Sequence, residues 1–388
     1  MLCLTAAILI ARASVQIDQD SPLVFMDATN SGSTIVDQPP VSSGYSSDDW
    51  KSGITAVMQS DGPAAALAYY DELSRTNPLL EAGCHNAYRY AGELAAATYG
   101  LVSHQTSKCE NGFSHGLLRE LGKNYAAAQA YVDDTQGYCV ELSGDDMIGC
   151  YHGIGHGAAL ADRSDIQSAV QACSTTPTEV TLQLCSMAVF MEFGDDLLGR
   201  SVWARGEFAP GHSSDSLSDT DQRWAVSIAE GSLRGLCDGM PRPTIGTCYF
   251  NLWKFVAAAS EEPVRGDEDR RWSKEYCSVV GNETDREQCY TGFATLGIAV
   301  LGKTGRITTD IWPPTTPEEA DQLAETLVDN CREYNEFWPC LNGVVPPASS
   351  HLYDIGWPEE HIPNFCKFTI GSVEAEACDR AVTNSRRN

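Results

Sequence analysis

From Trp50 onward the chain alternates apolar and polar positions with a helical period. Stretches such as "GPAAALAYYDELSRTNP" and "HNAYRYAGELAAATYG" place Ala, Leu and Tyr on one stripe and charged or amide residues on the other. Alternation with a period of two, the mark of a half-buried strand, is scarce, so the expected class is all-α. Thr316-Pro317-Glu318-Glu319 supplies an N-cap, a proline at the first helical position and a capping-box glutamate, predicting a helix to about Cys331. Thr284 and Glu287 repeat the box before Cys289. Residues 14–49 keep no period and are rich in Ser, Asp, Pro and Gly, as expected of a disordered spacer.

The cysteines give this pattern a longer repeat. Six pairs recur, each separated by eight to eleven residues: Cys139 and Cys150, Cys173 and Cys185, Cys237 and Cys248, Cys277 and Cys289, Cys331 and Cys340, Cys366 and Cys378. Several second cysteines open a shared phrase, C-x-x-G plus an apolar residue, in "CYHGIGHG", "CYTGFATLG" and "CLNGVV", with "CENGFSHG" at Cys109. First cysteines recur every 34 to 64 residues, and the longest interval holds the polar insert "GEFAPGHSSDSLSDTD". The expectation is a right-handed array of helical hairpins, an α-solenoid over residues 50–385, with each bridge tying the end of one helix to the first turn of the next. Each closed loop of about a dozen residues adds roughly 2 to 3 kcal/mol in the chain-entropy model. Cys84 and Cys109 pair by elimination. The glycine three places after the cysteine (Gly112, Gly153, Gly292, Gly343) marks a helix crossing too close for a side chain.

Composition sets the compartment. Cys3 lies in "MLCLTAAILIARAS", an apolar run ending in Ala11-Arg12-Ala13, which reads as a signal peptide over residues 1–13. Its removal leaves fourteen of the 15 cysteines, an even number suited to an oxidising, exported setting. No later apolar run reaches the length of about 18 that a spanning helix needs. A formal charge of -27, from 53 acidic and 26 basic residues, argues against nucleic acid or an anionic membrane as partner and fits a saline habitat equally well. Asn282-Glu283-Thr284 is a glycosylation acceptor in a host that glycosylates.

The candidate chemistry rests on histidines. His115 and His156 fall six residues after their cysteines in successive units, and His152 precedes His156 by one helical turn. His85 directly follows Cys84, while the next unit offers Met191 at the matching place with Glu192 beside it. Imidazoles suit zinc, copper or iron; a methionine shifts the preference towards copper and a glutamate towards zinc or iron. Beyond that unit the position becomes Lys254 and then Thr295, confining any site to the N-terminal half. The same histidines also fit a purely structural role, bonded to carbonyls at crowded crossings. "HGIGH" lacks the glutamate of H-E-x-x-H, so a zincin-type protease is not indicated. No C-x-x-C occurs, which weakens a zinc knuckle and removes covalent haem, and the chain carries no nucleotide-binding fingerprint. Glu192, Asp195 and Asp196 read as a solvated turn, and Tyr249, Trp253, Trp272 and Tyr290 as core.

The helix-turn-helix period and small-residue crossings resemble the tetratricopeptide or Sel1-like class of α-solenoids, most visibly in "GPAAALAYYDELSRTNP" with its terminal proline. That resemblance implies a curved array with a groove for peptides or protein partners and carries no catalytic residue. The expected function is an exported binding or scaffold protein with a histidine-lined groove. The alternatives are a metal-dependent enzyme or metal-handling protein using His115, His152 and His156, and a purely structural cell-surface protein.

Overall fold

The computed structural model describes residues 47–75, 84–102, 111–204 except 164, 237–259, 268–304, 316–354 except 335, and 364–385, together with positions 80, 106, 108 and 109. The signal peptide, residues 14–46 of the spacer and the insert "GEFAPGHSSDSLSDTD" lie outside the described residues. Among the described residues there is no strand. The helices are α1 (Ser47–Asp61), α2 (Pro63–Ser74), α3 (Cys84–Tyr99), α4 (Gly112–Gly122), α5 (Ala128–Thr135), α6 (Gly144–Ala161) and α7 (Ile166–Cys173). They continue as α8 (Glu179–Ala204), α9 (Ile245–Ala259), α10 (Glu268–Trp272), α11 (Glu283–Thr304), α12 (Pro317–Arg332), α13 (Phe337–Asp354) and α14 (Gly371–Ser385).

Packing runs along the chain. Helices α3, α4, α6, α8, α9, α11, α13 and α14 form a row in which each lies against the next, while α5, α7, α10 and α12 pack on members of that row and α1 with α2 covers α3. None of the described helices is long and apolar enough to cross a membrane.

Local chemistry explains most boundaries. Thr316 caps α12 by accepting from the Glu319 amide while the Glu319 carboxylate accepts from the Thr316 amide, the capping box expected there. Asp165 caps α7 through the amides of Gln167 and Ser168. At α11 the expectation needs correction. The cap is Asn282, whose Oδ1 accepts from the Asp285 amide at 3.0 Å, and Thr284 already lies inside the helix. Asparagine ranks above threonine as a cap, and starting there brings both Glu283 and Asp285 to the positive end of the helix.

All seven cysteine pairs are bridged, with Cα atoms 5.4 to 5.7 Å apart, Cys84–Cys109 among them. The expected attachment to the first turn holds at Cys248 and Cys340, whereas Cys150, Cys185, Cys289 and Cys378 sit in the second turn of their helices. The bridge therefore reaches past the cap, which leaves the capping residues free to bond the helix end. The repeated glycines mark close crossings. A β-carbon would fall within 3.0 Å of the His85 carbonyl at Gly112, of Ser114 and Leu118 at Gly153, of the Phe250 carbonyl at Gly292 and of the Thr291 carbonyl at Gly343. Tyr249, Trp253, Trp272 and Tyr290 are buried in the central cluster, as the pattern predicted.

Candidate metal centre

The N-terminal part of the row is drawn together by a seam of glycines. Gly92 lies on the Phe113 carbonyl, Gly116 on the Arg89 carbonyl, Gly122 on Gly157 and Gly155 on the Cys185 carbonyl, so α3, α4, α6 and α8 meet backbone to backbone. At such separations even short imidazoles reach across two helices. His85 comes from α3, His115 from α4, His152 and His156 from α6 and Glu192 from α8.

Three rings converge. Ligating nitrogens of His115, His152 and His156 all lie within 4.8 Å of one another, and His152 Nε2 faces His156 Nε2 at 3.2 Å. Two nitrogens bound to one tetrahedral ion at about 2.0–2.1 Å stand roughly 3.4 Å apart, so the His152/His156 pair already has that spacing. His85 is outside the three-nitrogen group, with its ring centroid 5.2 Å from that of His115.

The far side of each ring determines its tautomer. His156 Nδ1 is 2.9 Å from Glu192 Oε2, an ionised acceptor, so Nδ1 carries the proton and Nε2 the lone pair. His85 Nδ1 is 3.0 Å from the Cys109 carbonyl, which can only accept, with the same result. His152 Nε2 stands 3.2 Å from His156 Nε2, and the tautomers of the two rings decide whether a proton lies between them. Two acceptors at that distance repel unless a proton or a cation lies between them.

Electrostatics hold two of the rings, His115 and His152, in the neutral state. Burial first, and then the charges of His152, His156, His85 and Arg89, hold His115 far below its ordinary value. Burial, followed by His156, His85 and Lys254, does the same for His152. Both rings bind protons more readily in the unfolded chain. The stability they lend is therefore full above the ordinary value of 6.5 and lost as pH falls below it.

Behind His156 stands an ionic clamp. Burial disfavours the charge on Glu192, but hydrogen bonds from His156 and Arg119 outweigh it and keep the carboxyl well below the usual range. Arg119 Nε lies 3.0 Å from both Glu192 oxygens, its Nη2 2.6 Å from Oε1, and its Nη1 3.2 Å from Glu93 Oε1. The His156 and Glu192 side chains are only 12% and 13% exposed, so water screens this contact little.

The remaining candidates divide as follows. Glu192 is not the solvated-turn residue expected but lies inside α8, its oxygens taken up by His156 Nδ1 and Arg119. Met191, half-buried beside it, makes no hydrogen bond to the rings among the described residues. Farther along, Lys254 is buried with its ammonium 5.6 Å from the centre of the Trp253 ring, and Thr295 Oγ1 bonds the Thr291 and Gly343 carbonyls. The side chains of Asp195 and Asp196 lie outside the described residues. Sequence reasoning passed over Arg119 and Glu93. Arg119 had a legible signal, since it follows His115 by four residues and shares its helix face, but no spacing links Glu93 to it.

No protein-family model matches the chain, and no curated protein or solved structure matches it either.

Proposed function

We propose that this chain is an exported, disulfide-stapled helical-repeat protein that binds one transition-metal ion through Nε2 of His115, His152 and His156. The observation that carries this reading is the opposed Nε2 pair at 3.2 Å, with the other nitrogen of His156 committed to an ionised carboxylate. Packing alone does not call for two imidazole nitrogens at the spacing of a shared ion. A ligand pair requires that arrangement, and a carboxylate behind the imidazole is the usual outer partner of a bound ion. Three imidazoles with no thioether or carboxylate among them suit zinc, copper or iron, and zinc is the ion taken for the test. The surrounding array is read as a right-handed solenoid of the tetratricopeptide or Sel1-like kind, with the ion at the crossing of its N-terminal units.

The test is metal analysis and zinc titration of the full, oxidised, tag-free chain beside a His152→Ala/His156→Ala variant. One zinc per parent chain is expected, with stoichiometric uptake lost in the variant while its helical circular dichroism is retained. A parent that takes up none of zinc, copper or iron removes the reading.

A further inference from the structure

Three imidazoles leave a tetrahedral ion with one vacant position, the arrangement of an ion that takes a ligand from solution. The rings of His115, His152 and His156 are half-buried, so a small molecule can reach them while water screens the charges around them little. The charges facing that position decide what it accepts.

Acidic residues outnumber basic ones by 53 to 26 in the whole chain, yet around the histidines the balance reverses. Arg89 acts on His115 from α3 and Lys254 acts on His152 from α9, the two ends of the row α3, α4, α6, α8 and α9. The Arg89 carbonyl lies where a β-carbon on Gly116 would fall, next to His115. The stem of Lys254 lies 2.9 Å from the place a β-carbon on Gly194 would take, two residues beyond Glu192, and the residue is only 7% exposed. Its charge acts through space, whatever else its ammonium bonds.

The nearby carboxylates are already committed. Glu93 and Glu192 both bond Arg119, Glu192 also accepts from His156, Glu93 lies 3.7 Å from Arg89 Nε, and Glu120 pairs with Lys123. Arg89, Arg119 and Lys254 therefore stand against Glu93 and Glu192 with one positive charge in excess. A divalent ion on neutral imidazoles raises that excess to three. Buried charge without a counter-charge is costly, and a negative group that coordinates the ion relieves the charge and fills the vacancy together.

We propose that the vacant position takes a small oxyanion, a carboxylate or a phosphate, bound through oxygen to the ion and held by the positive field of Lys254 and Arg89. This rests on the preceding reading that an ion binds at His115, His152 and His156. A neutral ligand fills the same position but leaves the excess charge in place.

Cobalt(II) is the probe for the ion, because its visible d–d bands respond to a change of fourth ligand. Acetate and phosphate are the probe anions, each titrated at constant ionic strength against perchlorate, which coordinates weakly. The bands of the full, oxidised chain should shift saturably with at least one of them, and the tighter of the two names the source. Lys254→Gln and Arg89→Gln should each bind that anion about 10-fold more weakly, as for a lost charged contact. Both should hold cobalt at least as tightly as the parent, since a positive charge near the ion opposes it. Bands that neither anion moves overturn the proposal, and that measurement needs no variant to fold. Unchanged anion affinity in both variants overturns the role of the two side chains. So does a parallel loss of cobalt and anion affinity in Arg89→Gln, whose side chain is 41% exposed and outside the core. A parent chain that takes up no cobalt is a separate result, read before any anion is added, that removes the ion itself and this proposal with it.

Discussion

Glu192 acts on the imidazole cluster from one hydrogen bond behind it. By accepting from His156 Nδ1 it sets which nitrogen faces inward, and Arg119, anchored to Glu93 as well, keeps the carboxylate ionised although it is buried. Glu192→Gln preserves the volume but removes the charge that fixes the tautomer and leaves Arg119 half-compensated. Zinc affinity, measured by competition with a chromophoric chelator, should fall about 10- to 100-fold. Stability should drop on the order of 1–3 kcal/mol as a charged hydrogen bond is lost. Undiminished affinity in a folded variant would mean that His156 is oriented by packing alone. His115 and Arg119 were both visible in the sequence as one helical stripe, but the partner of Arg119 was not. An ion pair across three helices depends on registers that no local spacing records.

The helices themselves were largely legible because their determinants are local: periodicity, caps and prolines within a few residues of each boundary. The slip at α11 has the same origin, since Asn282 and Thr284 are both competent caps and only the observed hydrogen bond separates them. The crossings were legible in part. The glycine three places after several cysteines was readable from the repeat, and Gly116 recurs as Gly157 seven places after its cysteine, while Gly92 and Gly155, which also set the separations at the centre, follow no repeat phase. Their role can be tested by comparison. Gly116→Ala places a β-carbon on the Arg89 carbonyl and Gly292→Ala one on the Phe250 carbonyl, so each should cost about 1–3 kcal/mol in urea denaturation. Only Gly116→Ala separates α3 from α4, and only it should weaken zinc binding. Equal losses of affinity in both variants would show that the centre responds to overall stability and not to that crossing.

At the scale of the whole molecule, stability is distributed along a row in which each helix touches its neighbours, and the seven bridges act locally. The Cys331–Cys340 bridge lies in the C-terminal cluster with Leu323, Leu327 and Leu341, apart from the histidines. Cys331→Ser/Cys340→Ser should cost roughly 2–3 kcal/mol and split denaturation into an early C-terminal step and a later one, with zinc binding retained. A single transition with binding lost in step would indicate one cooperative unit. By itself the sequence determined the helical class, the pairing of all fourteen sulfurs and the histidines as the residues to watch, because helical period, cysteine spacing and glycine recurrence are short-range codes. Tertiary structure alone decided which imidazoles face each other, that Glu192 bonds His156, and that Arg119 joins three helices. Those outcomes depend on how far each helix slides and turns against the next, which is set by the sum of many side-chain contacts.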